Sequence, residues 1–129
     1  MKLCIDTNAY VRIMQNSPPV VKIIEEAERV FIPSIVLGEL YTGFMMGSTY
    51  DRNCSELESF LALPGVEIAY IDKNTAQRYG ILVKQLKNAG TPLPVNDIWI
   101  GASALETGAR VVSYDRHFTF IPGIDLISP

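Results

Sequence analysis

The sequence predicts a single α/β domain built around a parallel sheet of four or five strands. A length of 129 residues suits one domain with its own hydrophobic core. Short apolar runs of strand length alternate with longer stretches of helical pattern, and strands separated in this way form parallel sheets with right-handed crossovers. The chain contains no repeat, low-complexity segment or linker, so we treat residues 1–129 as one domain.

Two strands and three helices are expected in the first 46 residues. Asn8 and Ser34 are residue types that cap helix N-termini, and Pro19 is favoured at a first helical position. The predicted strands cover residues 2–5 and 30–32, and the predicted helices cover 9–14, 19–28 and 34–46.

The rest of the chain continues the alternation. A helix capped by Ser48 or Thr49 is expected to end before Pro64, and one opened by Asp72 or Asn74 is closed by Gly90. A last helix begins at residue 97 and ends at a glycine, residue 108. The predicted strands are 66–70, 110–113 and, where the sheet has five strands, 124–127; the helices reach residues 61, 88 and 106.

Four acidic residues occupy the ends and beginnings of these elements. Asp6 follows the first strand, Asp115 follows the fourth, Asp97 begins a helix, and Glu39 lies on an apolar helix. Ligands of open α/β sheets bind beyond the carboxyl ends of the strands, so we expect the four to meet at one edge. Clustered carboxylates repel one another and resist burial, and a hard divalent cation such as Mg²⁺ relieves both effects. Asp6→Asn is therefore expected to raise the melting temperature of the metal-free protein.

Each acid also has a structural explanation. Asp6 and Asp115 suit a helix cap or a turn, and Asp97 suits the first turn of a helix, where the macrodipole favours a carboxylate. Glu39 and Thr42 together suit a narrow solvent-facing stripe. The joint pattern favours a site, because small polar residues able to orient carboxylates or bound waters accompany the acids. These residues are Thr7, Asn8, Ser34, Asn96 and Ser113.

The other candidate residues are less informative. Arg12 and Arg116 each follow an acid closely and suit either a phosphate contact or a pairing with the carboxylates. His117 is the only histidine, which excludes a zinc site based on a histidine cluster, and a surface or packing role is favoured over catalysis. Trp99 lies on an apolar helix face and indicates a core or subunit contact.

Composition restricts the class of protein further. Charged residues make up 19% of the chain, below a typical share of about 25%, so we expect an apolar surface patch that a partner or second copy covers. Cys4 and Cys54 are expected to be buried free thiols in a reducing cytoplasm, and the uncharged stretch within 30–50 is too interrupted to span a membrane. Without the four acids, 10 acidic residues face 11 lysines and arginines, so the net charge of −3 does not exclude a polyanionic substrate.

Read in order, three segments resemble the successive motifs of the PIN-domain family, and most closely its VapC-type toxins. The segments are IDTNAYV, IPSIVLGELYTG and VNDIWIGASALETGARVVSYDRHF. The resemblance runs nearly end to end and implies a three-layer α/β/α fold. Gly101 occupies a position that the family often gives to alanine, a small change that is not expected to matter.

The resemblance implies an endoribonuclease that depends on Mg²⁺ or Mn²⁺. Asp6, Glu39, Asp97 and Asp115 fall on the family's acidic positions, and Asn8 and Ser113 on its polar ones. Asp6 and Asp97 would hold the metal, and the other two acids would act directly or through water. A bound water of lowered pKa would then cleave RNA without a side-chain nucleophile.

The resemblance also implies partners: an RNA substrate, a small antitoxin protein and a second copy in a homodimer, with no membrane. Two other functions stay open at this point. One is a catalytically silent PIN-like module that binds partners. The other is a receiver-type phosphoacceptor domain, although the chain lacks that domain's acidic pair after the first strand and its lysine near the last.

Overall fold

A five-stranded parallel sheet forms the centre of the molecule. The computed structural model describes residues 1–129, and the strands are arranged in the order β3-β2-β1-β4-β5. All four strand pairings are parallel. The strands are β1 (Lys2–Ile5), β2 (Arg29–Pro33), β3 (Val66–Ala69), β4 (Arg110–Val112) and β5 (Leu126–Ile127). The predicted parallel sheet is confirmed, with the fifth strand included.

Each connection from β1 to β2, from β2 to β3 and from β3 to β4 contains two α-helices, and a 3₁₀ helix precedes β5. The α-helices are α1 (Thr7–Met14), α2 (Pro18–Glu25), α3 (Ser34–Met46), α4 (Tyr50–Leu61), α5 (Lys73–Ala89) and α6 (Val95–Thr107). The 3₁₀ helix is Arg116–Phe120. None of the helices is long and apolar enough to cross a membrane.

The sheet is covered on both faces. Leu3, Cys4 and Ile5 are consecutive in β1 and all fully buried, although alternate side chains of a strand point to opposite faces. Val111 and Val112 of β4 are fully buried in the same way. Helices therefore pack on both sides of the central strands, which gives the three layers typical of parallel α/β sheets.

The strand order creates a crevice between β1 and β4. The chain moves from β1 outward through β2 to β3, then returns past β1 to form β4 and β5 on the other side. Connections leave the carboxyl ends of β1 and β4 in opposite directions, which opens a gap above these two strands. Open α/β sheets bind their ligands at such a switch point.

Several predicted helix boundaries are wrong in detail. The cap of α1 is Asp6, not Asn8, because the Asp6 carboxylate accepts a hydrogen bond from the backbone N–H of Ala9 at 2.8 Å. Ser34 does not cap α3; its hydroxyl donates to the carbonyl of Ala69 at 3.3 Å and ties this helix to the end of β3. The helix α2 ends at residue 25 rather than 28.

Both ends of α5 and the end of α6 follow the predicted pattern, whereas the beginning of α6 does not. Gly90 and Gly108 close α5 and α6 in left-handed conformations, with φ of 71° and 69°. Asp72 caps α5 through its side chain, as one of the two expected candidates. The helix α6 begins at Val95 after Pro94, so Asp97 occupies its third position rather than its first.

The expected apolar surface is present where α3 meets α4. Met45 and Met46 are 68% and 86% exposed, and Tyr50 is 37% exposed. That a partner covers these side chains stays a prediction. Both cysteines are free thiols, and Cys4 is buried as expected, but Cys54 is only partly buried.

Candidate active site

All four acidic residues line one small cavity at the carboxyl end of the sheet. The cavity has a volume of about 170 Å³ and opens above β1 and β4. Asp6 reaches it from the end of β1, Glu39 from α3, Asp97 from α6 and Asp115 from the segment after β4. We call this space the acidic cavity; its lining is Asp6, Thr7, Asn8, Glu39, Asp97, Ile100 and Asp115.

Asp6 is the most deeply buried of the four, at 6% exposure. One carboxylate oxygen caps α1, and the other accepts a hydrogen bond of 2.5 Å from the hydroxyl of Ser113. Burial raises the pKa of Asp6, the bonds from Ser113 and Ala9 lower it, and the nearby carboxylates raise it again. The capping role and the site role therefore belong to one side chain.

Asp115 is joined to Asp6 through Ser113. The fully buried Ser113 hydroxyl accepts a hydrogen bond from the backbone N–H of Asp115 at 2.9 Å while it donates to Asp6. Asp115 in turn caps the 3₁₀ helix by accepting from the backbone N–H of His117 at 2.9 Å. The His117 ring nitrogen Nδ1 lies 3.1 Å from the same carboxylate oxygen. Ser113 thereby sets the relative positions of two acids.

Glu39 is directed into the cavity by two polar side chains. The Thr7 hydroxyl donates to Glu39 Oε1 at 2.8 Å, and the Asn96 amide donates to Glu39 Oε2 at 3.3 Å. Thr42, the other member of the suggested solvent stripe, donates instead to the carbonyl of Gly38 in its own helix. Thr42 is exposed, as the solvent-stripe interpretation expects, but Glu39 is partly buried and lines the cavity, so that interpretation is wrong for Glu39.

Asp97 lines the cavity without a partner that compensates its charge. Its carboxylate accepts no hydrogen bond from another group of the protein and forms no ion pair. Burial and, after it, repulsion from Asp115, Asp6 and Glu39 raise the pKa of Asp97 from 3.8 to about 6. A carboxylate in this position gains most from a bound cation.

No lysine or arginine neutralises the cavity. The ion pairs that involve arginine or the N-terminal ammonium lie elsewhere, as at Arg78–Glu106 and Arg110–Asp125. Arg12 lies over the ring of Tyr114, with 5.3 Å from the guanidinium carbon to the ring centroid, and Arg116 is exposed on the 3₁₀ helix. The suggested pairing of these arginines with the carboxylates is therefore wrong, and a contact with phosphate stays a prediction.

The donor set fits a hard divalent cation that keeps part of its water shell. No group of three or more His, Cys, Asp or Glu side chains stands in a ready metal-ligating arrangement. The carboxylates instead surround an open space with uncompensated charge. Mg²⁺ is commonly held by one or two carboxylates and several waters, and a cavity of about 170 Å³ has room for that arrangement.

Two contributions to the site were not predicted from the sequence. Ile100 lies one helical turn after Asp97 and forms an apolar wall of the cavity. The spacing of three residues from Asp97 is the only signal of this role in the sequence. The contact of His117 with Asp115 was not predicted, but the His117 side chain is 63% exposed, so the expected surface position is confirmed. Ser34 is tied to β3, and Trp99 stacks on Tyr79 with ring centroids 3.9 Å apart, which agrees with a packing role.

The fold and the acidic cavity define a class of protein. Residues 3–123 match the PIN domain, and the chain belongs to the PIN-domain family. Within it, the chain is 28% identical over 118 residues to Ribonuclease VapC1 of Haemophilus influenzae (strain R2866), an alignment that covers 86% of this chain and 84% of that protein.

Two solved structures are similar over nearly the full length. One is VapBC2 from Rickettsia felis bound to a DNA fragment from their promoter, with 27% identity and a TM-score of 0.87. The other is DNA-bound VapBC from Salmonella typhimurium, with 29% identity and a TM-score of 0.86. Each similarity covers 99% of this chain and 98% of the other. The resemblance to VapC-type proteins is therefore confirmed.

Proposed function

We propose that this protein is a VapC-type endoribonuclease that hydrolyses RNA phosphodiester bonds at the acidic cavity with the help of Mg²⁺ or Mn²⁺. The observation that carries the proposal is the meeting of four carboxylates at one cavity without a lysine or arginine to neutralise them. Relatives named ribonucleases support RNA as the substrate.

Each acid has a distinct part in the proposed reaction. Asp6 and Asp97 would hold the cation, with Asp6 fixed in place by Ser113 and by its role as the cap of α1. Glu39 and Asp115 would orient waters around the cation. When bound, such an ion supplies an activated water and stabilises negative charge on the phosphate.

The polar neighbours keep these carboxylates in position. Thr7 and Asn96 hold Glu39, and the exposed Asn8 lines the cavity, where it can hydrogen-bond to water or to the sugar–phosphate backbone. Arg12 and Arg116 are exposed on elements that carry or adjoin the acids, and in this scheme they orient the phosphate. The protein needs no side-chain nucleophile, because water attacks the phosphorus.

The proposal includes the partners. Similar solved structures contain VapBC complexes, and VapBC-5 from Mycobacterium tuberculosis is described as a member of a family of toxin–antitoxin systems. We propose a small antitoxin as the inhibitor of this chain and a homodimer as its assembled form. The proposed location is the cytoplasm, where the RNA substrate lies.

A silent binding module is the second candidate, but the electrostatics of the cavity disfavour it. A module that only binds partners has no need of a carboxyl group whose pKa is raised to about 6 by burial and by its acidic neighbours. The receiver-type interpretation is wrong, because a receiver domain has the strand order 2-1-3-4-5 whereas this sheet has β3-β2-β1-β4-β5.

The direct test is cleavage of total RNA by highly purified protein. Wild type is expected to cleave in Mg²⁺ and to stop when a chelator is added, and Asp97→Asn is expected to be inactive in both conditions. Glu58→Gln, which removes an exposed carboxylate of α4, is the matched control and should cleave like wild type. Equal cleavage by wild type and Asp97→Asn would refute the assignment of the site.

A further inference from the structure

The 3₁₀ helix after Asp115 presents two aromatic rings to solvent. His117 and Phe120 are three residues apart, and side chains at that spacing lie one above the other in a 3₁₀ helix. Their ring centroids are 6.3 Å apart with an interplanar angle of 30°. Phe120 is 50% exposed, and the side chain of His117 is 63% exposed. We call these two residues the ring pair.

The ring pair is fixed to the acidic cavity from the side of Asp115. The backbone N–H and the ring nitrogen Nδ1 of His117 both lie within 3.1 Å of one Asp115 carboxylate oxygen. Asp115 itself lines the cavity. A group bound in the cavity is therefore separated from the ring pair by a single side chain.

The opposite side of the 3₁₀ helix is anchored in the core. Phe118 and Ile121 are each only 1% exposed, whereas the two residues between them, Thr119 and Phe120, are exposed. Ile121 packs tightly on α6 at Gly101, where an added Cβ would lie 2.8 Å from Ile121 Cδ1. Gly101 lies one turn beyond Asp97 on α6, so two cavity-lining elements together hold the ring pair.

Two arginines without a carboxylate partner lie on or against the segment from Tyr114 to Phe120. Arg116 is exposed at the beginning of the 3₁₀ helix, and Arg12 lies over the ring of Tyr114. Neither arginine pairs with a carboxylate, so both are available to phosphates. Surfaces that bind single strands combine cationic groups along the backbone with aromatic rings under the bases.

We propose that the ring pair of His117 and Phe120 stacks on an unpaired base of the RNA, next to the phosphate that enters the acidic cavity. The proposal rests on the proposed function and adds two base-binding residues to it. A base in a double helix is already stacked between its neighbours, so the ring pair selects single-stranded RNA.

Substitutions at Phe120 test the proposal through steady-state cleavage of single-stranded RNA oligonucleotides. Phe120→Ala and Phe120→Leu are expected to raise KM about tenfold, with kcat within about twofold of wild type, because stacking holds the substrate and takes no part in bond cleavage. Phe120→Tyr keeps the ring and should match wild type. Leu63→Ala is the control: Leu63 is 52% exposed and lies just before β3, at the other end of the sheet.

Oligonucleotides with one abasic position provide a second arm. Wild type is expected to show an increase of about tenfold in KM when one particular base is missing, and Phe120→Ala should be insensitive to that base. An unchanged KM in Phe120→Ala would overturn the proposal, whether or not the mass of the variant measured by sedimentation changes. If wild type cleaves none of the oligonucleotides, the proposed function fails and the ring-pair assignment fails with it.

Discussion

Replacement of Asp97 by asparagine tests the electrostatics of the acidic cavity without RNA. The pKa of Asp97 is raised from 3.8 to about 6 by burial and by three neighbouring carboxylates. A folded state that holds its proton more tightly than the unfolded chain loses stability as the pH rises between these two values. The metal-free wild-type protein should therefore become less stable between about pH 4 and pH 6, and Asp97→Asn should lose less.

The expected magnitude follows from the size of the shift. A difference of about two pKa units corresponds to about 3 kcal/mol at most. Because Asp97 is only partly buried, solvent screening reduces this to about 1–2 kcal/mol. Comparison of each protein with itself at two pH values removes the effects of asparagine that do not depend on pH.

Urea unfolding followed by circular dichroism, at pH 4 and pH 7 in chelator, measures this difference. Wild type should lose about 1–2 kcal/mol more than Asp97→Asn between the two pH values, and Glu58→Gln should behave like wild type. Residual pH dependence in Asp97→Asn is expected from Asp6, whose pKa is also raised by burial. Equal losses of unfolding free energy in wild type and Asp97→Asn would show that the pKa of Asp97 is not raised in the folded protein.

Three further predictions concern the surroundings of the cavity. Ser113→Ala removes the hydroxyl that joins Asp6 to the backbone of Asp115, and should lower the free energy of unfolding in urea by about 1–3 kcal/mol; no loss would contradict the hydrogen-bond chain. Gly101→Ala forces a contact with Ile121, and adding Ile121→Val should relieve it, with a coupling of about 1 kcal/mol in a double-mutant cycle; strict additivity would contradict the close approach. Mg²⁺ at about 100 times its Kd should stabilise wild type by about 2.7 kcal/mol in thermal unfolding. An equal gain in Asp97→Asn would contradict the assignment of the metal site.

The general position of the site was predictable from the sequence. Asp6 and Asp115 follow strands, and the carboxyl ends of parallel strands meet at one edge whatever the details of packing. Asp97 also reaches that edge although its helix begins two residues earlier than expected, at Val95. A shift of two residues at a helix start does not move the element as a whole.

The contacts of each side chain were not predictable in the same way. Sequence patterns treat a cap and a site residue as alternatives, yet Asp6 uses one oxygen for the N–H of Ala9 and the other for Ser113. This double use also weakens the expectation that Asp6→Asn stabilises the metal-free protein, because the variant alters a buried hydrogen bond. Asp97, which accepts no hydrogen bond from the protein, is the better position for that test.

Long-range contacts explain the remaining differences. The direction of Glu39 depends on Thr7 and Asn96, which are 32 and 57 residues away along the chain. Helical periodicity reports only the neighbours within one helix, so it suggested a solvent stripe. The close packing of Ile121 on Gly101 likewise depends on the tertiary fold, so the glycine looked unimportant in the sequence.

The central claim is that a divalent cation in the acidic cavity enables RNA cleavage. The most direct measurement compares two Mg²⁺ titrations of the wild-type protein: the single-turnover cleavage rate of an RNA oligonucleotide and the shift in melting temperature. The cleavage rate should reach half its maximum near the Mg²⁺ concentration at which the melting temperature begins to rise with the logarithm of Mg²⁺ concentration, and both responses should be absent in Asp97→Asn. Cleavage that persists in chelator, or that saturates where the melting temperature has not begun to rise, would contradict the claim.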